Sequence, residues 1–142
     1  MRKPRGKPRA RLLPSSDSGQ PAAARPDRPR IETYGGGGFR ISGVRHAGSV
    51  IVLPEATLAW ALQHPAELTI ESLAPVRDAE PKVDILLFGG GRSLVPVDGR
   101  LRAALREVGI VIEPMDTGAA CRTYSVLVAE ERRVAAALIA ID

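Results

Sequence analysis

Two short aliphatic segments on either side of an amphipathic helix constrain the fold of this chain more than any other feature. Residues 83–88 (VDILLF) and 110–113 (IVIE) are apolar and rich in branched side chains, as buried strands are. Between them, helical spacing places five apolar residues on one face: Val97, Leu101, Ala104, Leu105 and Val108. This order of strand, helix and strand predicts a parallel pair joined by a right-handed crossover.

The same pattern continues to the end of the chain. Asp116 or Thr117 caps a further predicted helix, and residues 133–141 form a closing strand. The second half therefore has a predicted β-α-β-α-β order. Before it, residues 39–44 and 49–53 are short extended runs with turn signals between them, which indicates antiparallel hairpins. We predict a single compact α/β domain, α+β-like, with a mixed β-sheet and N-terminal hairpins.

Three local features have two interpretations each. The four glycines at 35–38 form either a flexible segment or a tight turn. Residues 55–64 fit a helix through Leu58 and Leu62, or a strand through Leu58, Trp60 and Leu62. Trp60 itself is predicted to be a core residue, with an interface anchor as the alternative.

Residues 1–30 differ sharply in composition from the rest of the chain. They hold six prolines, nine Lys/Arg and two acidic residues, a net charge of +7, whereas residues 31–142 have a net charge of −3. Closely spaced prolines block helices, and few apolar residues are present to offset the entropy of ordering. We predict a disordered basic tail over residues 1–30 and one domain over residues 31–142. An anion-binding arm and an organelle targeting segment are the alternatives for the tail.

Several classes of protein are disfavoured. The domain has no basic patch, so specific nucleic-acid binding is not predicted. No apolar run approaches the roughly 18 residues of a membrane span, so no transmembrane segment is predicted. Cys121 is the only cysteine, which excludes an intramolecular disulfide and favours a reducing compartment. His46 and His64 have no neighbours at metal-ligand spacing, and we predict no metal and no cofactor.

The best candidate site is a crevice at the carboxyl ends of the two predicted parallel strands. A glycine-rich turn leaves the first strand, and Asp116 and Thr117 follow the second. Ligands of open α/β sheets bind outside such strand ends, where glycines allow close approach and an arginine can pair with an anion. The predicted site residues are Gly89, Gly90, Gly91, Arg92, Asp116, Thr117 and Cys121.

A purely structural interpretation of the same residues is favoured. The chain lacks both a G-x-G-x-x-G fingerprint and a phosphate-binding loop, so the glycines are read first as a turn. Asp116 is read first as a helix cap rather than an acid or base. Cys121 is read first as a buried, inert residue, and the alternative is a nucleophile activated by Arg122 and the helix N-terminus. We predict no catalytic residue.

A series of sequence blocks in one order resembles a known family. The first blocks are residues 31–39 (IETYGGGGF), 41–43 (ISG), 48–54 (GSVIVLP) and Trp60. Then follow 84–91 (DILLFGGG), 101–113, 115–117 (MDT), 120–124 (ACRTY) and 131–139 (ERRVAAALI). Together they resemble the family of mitochondrial respiratory complex I (NADH dehydrogenase) assembly factor 3 and its uncharacterised bacterial and archaeal relatives. Relatives typically have Gly-Thr-Gly after the central strand, so a hydroxyl is missing at Gly90.

The resemblance implies a compact α/β domain without established enzymatic activity or catalytic residues. It implies protein partners, such as NADH dehydrogenase subunits or a second assembly factor. The composition is rich in Ala, Arg, Gly and Pro, which suggests a GC-rich bacterial gene. We therefore expect a cytoplasmic bacterial protein, and a mitochondrial location if the protein is eukaryotic. A homodimer through an exposed edge strand is a further expectation.

The sequence is compatible with three functions. The favoured one is a non-enzymatic interaction domain, which predicts an exposed apolar patch near Trp60 or the crevice rim. The second is a small ligand-binding protein or enzyme that uses the crevice. The third is nucleic-acid binding through the tail, which predicts steep salt dependence.

Overall fold

The structure is a computed structural model that describes residues 28–142. The strands are β1 (Ile31–Gly35), β2 (Gly38–Ile41), β3 (Val44–Ala47), β4 (Val50–Leu53), β5 (Ala56–Ala59), β6 (Ile85–Gly89), β7 (Val111–Met115) and β8 (Val134–Leu138). The helices are α1 (Ala74–Arg77), α2 (Gly99–Glu107) and α3 (Thr117–Ala129), with short 3-10 turns at Pro65–Glu67 and Glu71–Leu73. The prediction for residues 1–27 of the tail lies outside the described residues.

A five-stranded mixed sheet forms the centre of the domain, in the order β5-β4-β8-β6-β7. Strand β6 is parallel to both β7 and β8, while β4 is antiparallel to β8 and to β5. The order of elements from β6 to β8 is the predicted β-α-β-α-β. The predicted α/β fold class is confirmed.

A separate three-stranded antiparallel sheet contains β1, β2 and β3. The hairpins of the first half are therefore divided between two sheets, because β4 and β5 join the central sheet instead. The glycine run forms the tight turn between β1 and β2, with positive φ at Gly35, Gly36 and Gly37. This turn contacts the end of the chain, since the amide of Gly37 donates to the carbonyl of Ile141 over 2.8 Å.

Alternating residues of the central sheet belong to two apolar clusters. Leu86 and Phe88 lie in the cluster that includes Leu105 of α2, and Leu87 lies in the cluster that includes Tyr124 of α3. This alternation is expected of a sheet that is buried on both faces. The second cluster also takes in Phe39 and Ile41, so it fills the space between the small sheet, α3 and the central sheet.

The structure decides between the two interpretations of residues 55–64 and defines both ends of helix α2. Residues 56–59 are strand β5, so the strand interpretation of residues 55–64 was right for its first part. Helix α2 begins at Gly99, two residues after Val97, where the predicted helical face starts, because Asp98 caps it by accepting from the amide of Arg100 over 3.1 Å. Gly109 follows the helix with φ of +85°, as a left-handed terminal residue does.

The last residues assigned to the tail contact the domain. The buried Tyr124 hydroxyl donates to the carbonyl of Pro29 over 2.9 Å, and Arg28 Nη2 donates to the carbonyl of Arg132 over 2.8 Å. The amide of Arg30 donates to Ser42 Oγ over 3.0 Å. Residues 28–30 thus lie against α3 and the β2–β3 turn. Between residues 28 and 142, no helix is long and apolar enough to cross a membrane.

Candidate functional site

The carboxyl ends of β6, β7 and β8 meet at one edge of the central sheet, where the crevice was predicted. Gly89 lies in register with Met115 on one side and Leu138 on the other. The segments that follow are joined by backbone hydrogen bonds. The amide of Gly90 donates to the carbonyl of Met115 over 3.0 Å, and the amide of Thr117 donates to the carbonyl of Gly91 over 2.8 Å. The glycine turn and the start of α3 are therefore brought together.

Thr117 connects all three strand ends. Its side chain has no exposed surface. Its Oγ1 accepts from the amide of Gly91 over 3.0 Å and donates to the carbonyl of Ile139 over 2.8 Å. A threonine hydroxyl has a single proton, and Thr117 donates it to the carbonyl of Ile139, so no proton is left for another acceptor. Thr117 consequently links the segment after β6, the start of α3 and the end of β8 through two buried hydrogen bonds.

The three glycines of the turn differ in whether the structure would accept a side chain at their positions. A Cβ atom on Gly89 would lie 3.0 Å from Thr117 Cα and 3.0 Å from Leu138 Cδ2, closer than packed carbon atoms normally approach. Gly91 has φ of +112°, which side chains rarely allow. At Gly90 the nearest atoms to such a Cβ, on Phe88 and Val95, are 3.5 Å away. The position where relatives were expected to carry a threonine therefore has room for a side chain.

The two charged residues of the predicted site have local roles in the structure. Asp116 is the N-cap of α3, and its Oδ1 accepts from the amide of Ala119 over 2.8 Å. This is the capping interpretation that the sequence favoured. Arg92 is exposed, and its Nη2 donates to the carbonyl of Asp142 over 3.5 Å. Arg92 thus leans toward the chain terminus at the rim of the crevice.

Cys121 faces the core. It is 5% exposed and packs in the cluster that contains Phe39, Ile41 and Tyr124. Burial raises the pKa of its thiol to about 12; the Arg122 guanidinium opposes this effect and the Asp116 carboxylate adds to it. At neutral pH the thiol is therefore protonated and a poor nucleophile.

We expect a thiol reagent at neutral pH to label Cys121 only as fast as the domain opens, because the sulfur is both covered and protonated. The variant Val126→Cys supplies a control on the same helix, since Val126 is 55% exposed. Its added cysteine should react rapidly, and the native one slowly, in a time course followed by mass spectrometry. Equal rates at the two thiols would mean that Cys121 is presented to reagents in the native state.

Sequence reasoning missed Ser49 and Ile139, which complete this edge of the sheet. Ser49 is buried at the start of the β4 segment, and its Oγ accepts from the amide of Ala140 over 3.0 Å. The amide of Ile139 donates to the carbonyl of Gly89 over 2.9 Å. The only signal for Ser49 in the sequence is that a serine directly precedes an all-apolar strand. No local pattern identifies the second.

Trp60 is a core residue and not part of an exposed patch. It is 8% exposed, its Nε1 donates to the carbonyl of Ser72 over 2.9 Å, and its ring meets Phe88 edge-on with centroids 6.4 Å apart. This confirms the core interpretation of Trp60 and corrects the expectation of an apolar patch around it. Edge-on geometry is favourable for aromatic pairs.

An open groove lies beside the crevice rim. It has a volume of ≈ 460 Å³. One wall is formed by His64, Pro65, Ala66 and Leu68, and the other by Val95, Pro96, Val97, Asp98 and Leu101. Leu94, just before the second wall, is 57% exposed. Among residues 28–142, no group of three or more His, Cys, Asp or Glu side chains is arranged to hold a metal ion.

Comparisons with known proteins agree with the fold and the sequence blocks. A family model described as "protein of unknown function (DUF498/DUF598)" matches residues 31–139. The chain is 38% identical over 109 residues to an uncharacterised protein of Rhodobacter capsulatus, covering 77% of this chain and 82% of that one. A structure described as an outer membrane protein from Bartonella henselae superposes with a TM-score of 0.76 at 38% identity, covering 82% of this chain and 98% of that one.

A eukaryotic relative carries the name that the sequence blocks suggested. NADH dehydrogenase (ubiquinone) 1 alpha subcomplex assembly factor 3 of Xenopus tropicalis is 37% identical over 109 residues, covering 77% of this chain. The chain spans 60% of the length of that relative. The resemblance inferred from the sequence is confirmed: the chain belongs to the DUF498/DUF598 family and is related to proteins named complex I assembly factor 3.

Proposed function

We propose that this protein takes part in the assembly of a respiratory NADH dehydrogenase by binding protein partners rather than by catalysis. The name of the Xenopus relative supports the assembly role, because the matched 109 residues correspond in extent to the domain described above. Partners are NADH dehydrogenase subunits or a second assembly factor. The place of action is the cytoplasm in a bacterium and the mitochondrion in a eukaryote.

The observation that carries the proposal is the exposed apolar surface at the crevice rim. Leu94 is 57% exposed and leads directly into the groove wall that Val95 and Pro96 begin. Exposed apolar residues grouped beside a concave surface are typical of protein-interaction sites. We assign the groove and Leu94 as the contact surface for an apolar segment of the partner.

The chemistry of the crevice favours binding over catalysis. The Thr117 hydroxyl is engaged by Gly91 and Ile139, and the Cys121 thiol is buried with a raised pKa. A nucleophile needs an accessible, deprotonated or base-activated atom, and these two groups offer none in this conformation. Small-molecule binding at the glycine turn stays the alternative function, with Arg92 at its rim.

We expect Leu94→Asp to reduce recovery of NADH dehydrogenase subunits about tenfold or more, because a charge would be desolvated at the centre of the contact. The assay is affinity capture from respiring cells that contain the tagged protein, with subunits quantified by mass spectrometry. Val126→Asp is the matched control, since Val126 is 55% exposed and lies on α3, against the opposite face of the central sheet. It should leave recovery unchanged.

Two results would contradict the proposal. Capture of no NADH dehydrogenase subunit by the unmodified protein would remove the assembly role. Equal recovery with the Leu94 and Val126 variants would remove the groove as the contact surface.

A further inference from the structure

The four sheet edges in the described residues differ in how they are protected. Charged residues or proline on an edge strand discourage pairing with another chain. Strand β7 carries Glu113 and Pro114, β3 carries Arg45, and β1 carries Glu32. Strand β5 consists of Ala, Thr, Leu and Ala and has neither charge nor proline. It is therefore the least protected edge.

The hydrogen-bond pattern of β5 identifies which backbone groups face outward. Hydrogen-bonded and non-hydrogen-bonded pairs alternate along an antiparallel pair. The amide of Trp60 donates to the carbonyl of Ser49 over 2.9 Å, so the next hydrogen-bonded pair is Leu58 with Ile51. The N–H and C=O groups of Thr57 and Ala59 consequently point away from β4. Between residues 28 and 142, no strand pairs with them.

We propose that a second copy of this protein pairs antiparallel with β5 about a two-fold axis, which joins the two central sheets into one of ten strands. The outward groups set the register. Thr57 of each copy faces Ala59 of the other, which makes four hydrogen bonds, and Leu58 faces Leu58 of the second copy on the axis. This inference is independent of the proposed assembly function.

Charge and side-chain pattern favour a second copy as the occupant. In an isologous interface the residues close to the two-fold axis lie near their own copies, so a charged residue there would be repelled by its copy. Residues 56–63 hold no charged side chain at neutral pH. Leu58 is 36% exposed and gains a direct apolar contact on the axis, where cross-strand pairs stabilise a sheet. A contact of four residues is smaller than the roughly 1,200 Å² of stable interfaces, so we expect dimerisation to depend on concentration.

The register is tested by disulfide trapping with Leu58→Cys in the full chain. The Cα atoms of a non-hydrogen-bonded pair are about 4.5 Å apart, within the span of a disulfide. Under mild oxidation with copper phenanthroline and oxygen, most of this variant should run as a dimer that reductant reverses. Val126→Cys, at a position on α3 that is 55% exposed against 36% for Leu58, should remain mainly monomeric, and the buried Cys121 serves as the common background.

A second substitution isolates the outward backbone groups. Ala59→Pro removes an N–H that β4 does not use, so the β4–β5 pairing is kept. Adding it to Leu58→Cys should abolish the trapped dimer. Trapping that persists with the proline, or that is no stronger than for Val126→Cys, would overturn the proposal. Sedimentation of the unmodified chain needs no variant, and a monomer mass at all concentrations up to about 1 mM would overturn it as well.

Discussion

Thr117→Val is expected to lower the free energy of unfolding by about 2 to 6 kcal/mol. Valine has nearly the shape of threonine and lacks the hydroxyl. The substitution would leave the amide of Gly91 and the carbonyl of Ile139 without partners in a place with no access to water. Each stranded buried group costs about 1 to 3 kcal/mol. Urea unfolding followed by circular dichroism measures the change, with the m-value unchanged.

Thr117→Ser is the matched control because it keeps the hydroxyl and removes only a methyl group. Its expected cost is about 1 kcal/mol, the value of one buried methyl group. If the free energies of unfolding of the valine variant and the parent differed by less than about 0.5 kcal/mol, a range typical of neutral surface substitutions, the two Thr117 hydrogen bonds would not be important for stability.

Gly89→Ala is expected to cost about 1 to 3 kcal/mol through overpacking. The added methyl group would lie 3.0 Å from Thr117 Cα and 3.2 Å from Thr117 Oγ1, and neither atom is at the end of a flexible side chain. The carboxyl end of β6 and the start of α3 would have to separate. The expected result is a lower urea midpoint.

Gly90→Ala provides the neighbouring control. Its added methyl group would lie 3.5 Å from Phe88 and Val95, which is ordinary contact, so we expect a change within about 0.5 kcal/mol. An equal loss of stability at Gly89 and Gly90 would mean that close approach to Thr117 is not the reason for glycine at position 89. Gly91 is unsuitable as a control because its φ of +112° strains any side chain.

Together these variants separate two interpretations of the glycine turn. If Thr117 and Gly89 matter only for stability, their variants should lose unfolding free energy while the folded fraction still binds partners normally. If the turn also contacts a ligand or partner, Gly90→Ala should weaken binding without a stability change. Gly90 suits this test because a methyl group fits there, whereas it would be crowded at Gly89 and strained by the positive φ of Gly91.

Local sequence patterns determined the order and type of most elements. The branched apolar runs gave β6 and β7, the helical spacing gave α2, and Asp116 gave the start of α3. These features depend on residues within a few positions of each other, so they can be read without the fold. The meeting of the glycine turn with Thr117 also followed, because parallel strands bring their carboxyl ends to one edge.

The tertiary structure alone decided which groups meet across the chain. It placed the carbonyl of Ile139 against Thr117, 22 residues away. It also divided the hairpins between two sheets and left β5 as the unprotected edge. Strand pairing and side-chain burial depend on contacts between distant residues, and the spacing of residues along a sequence does not encode which distant partner packs best.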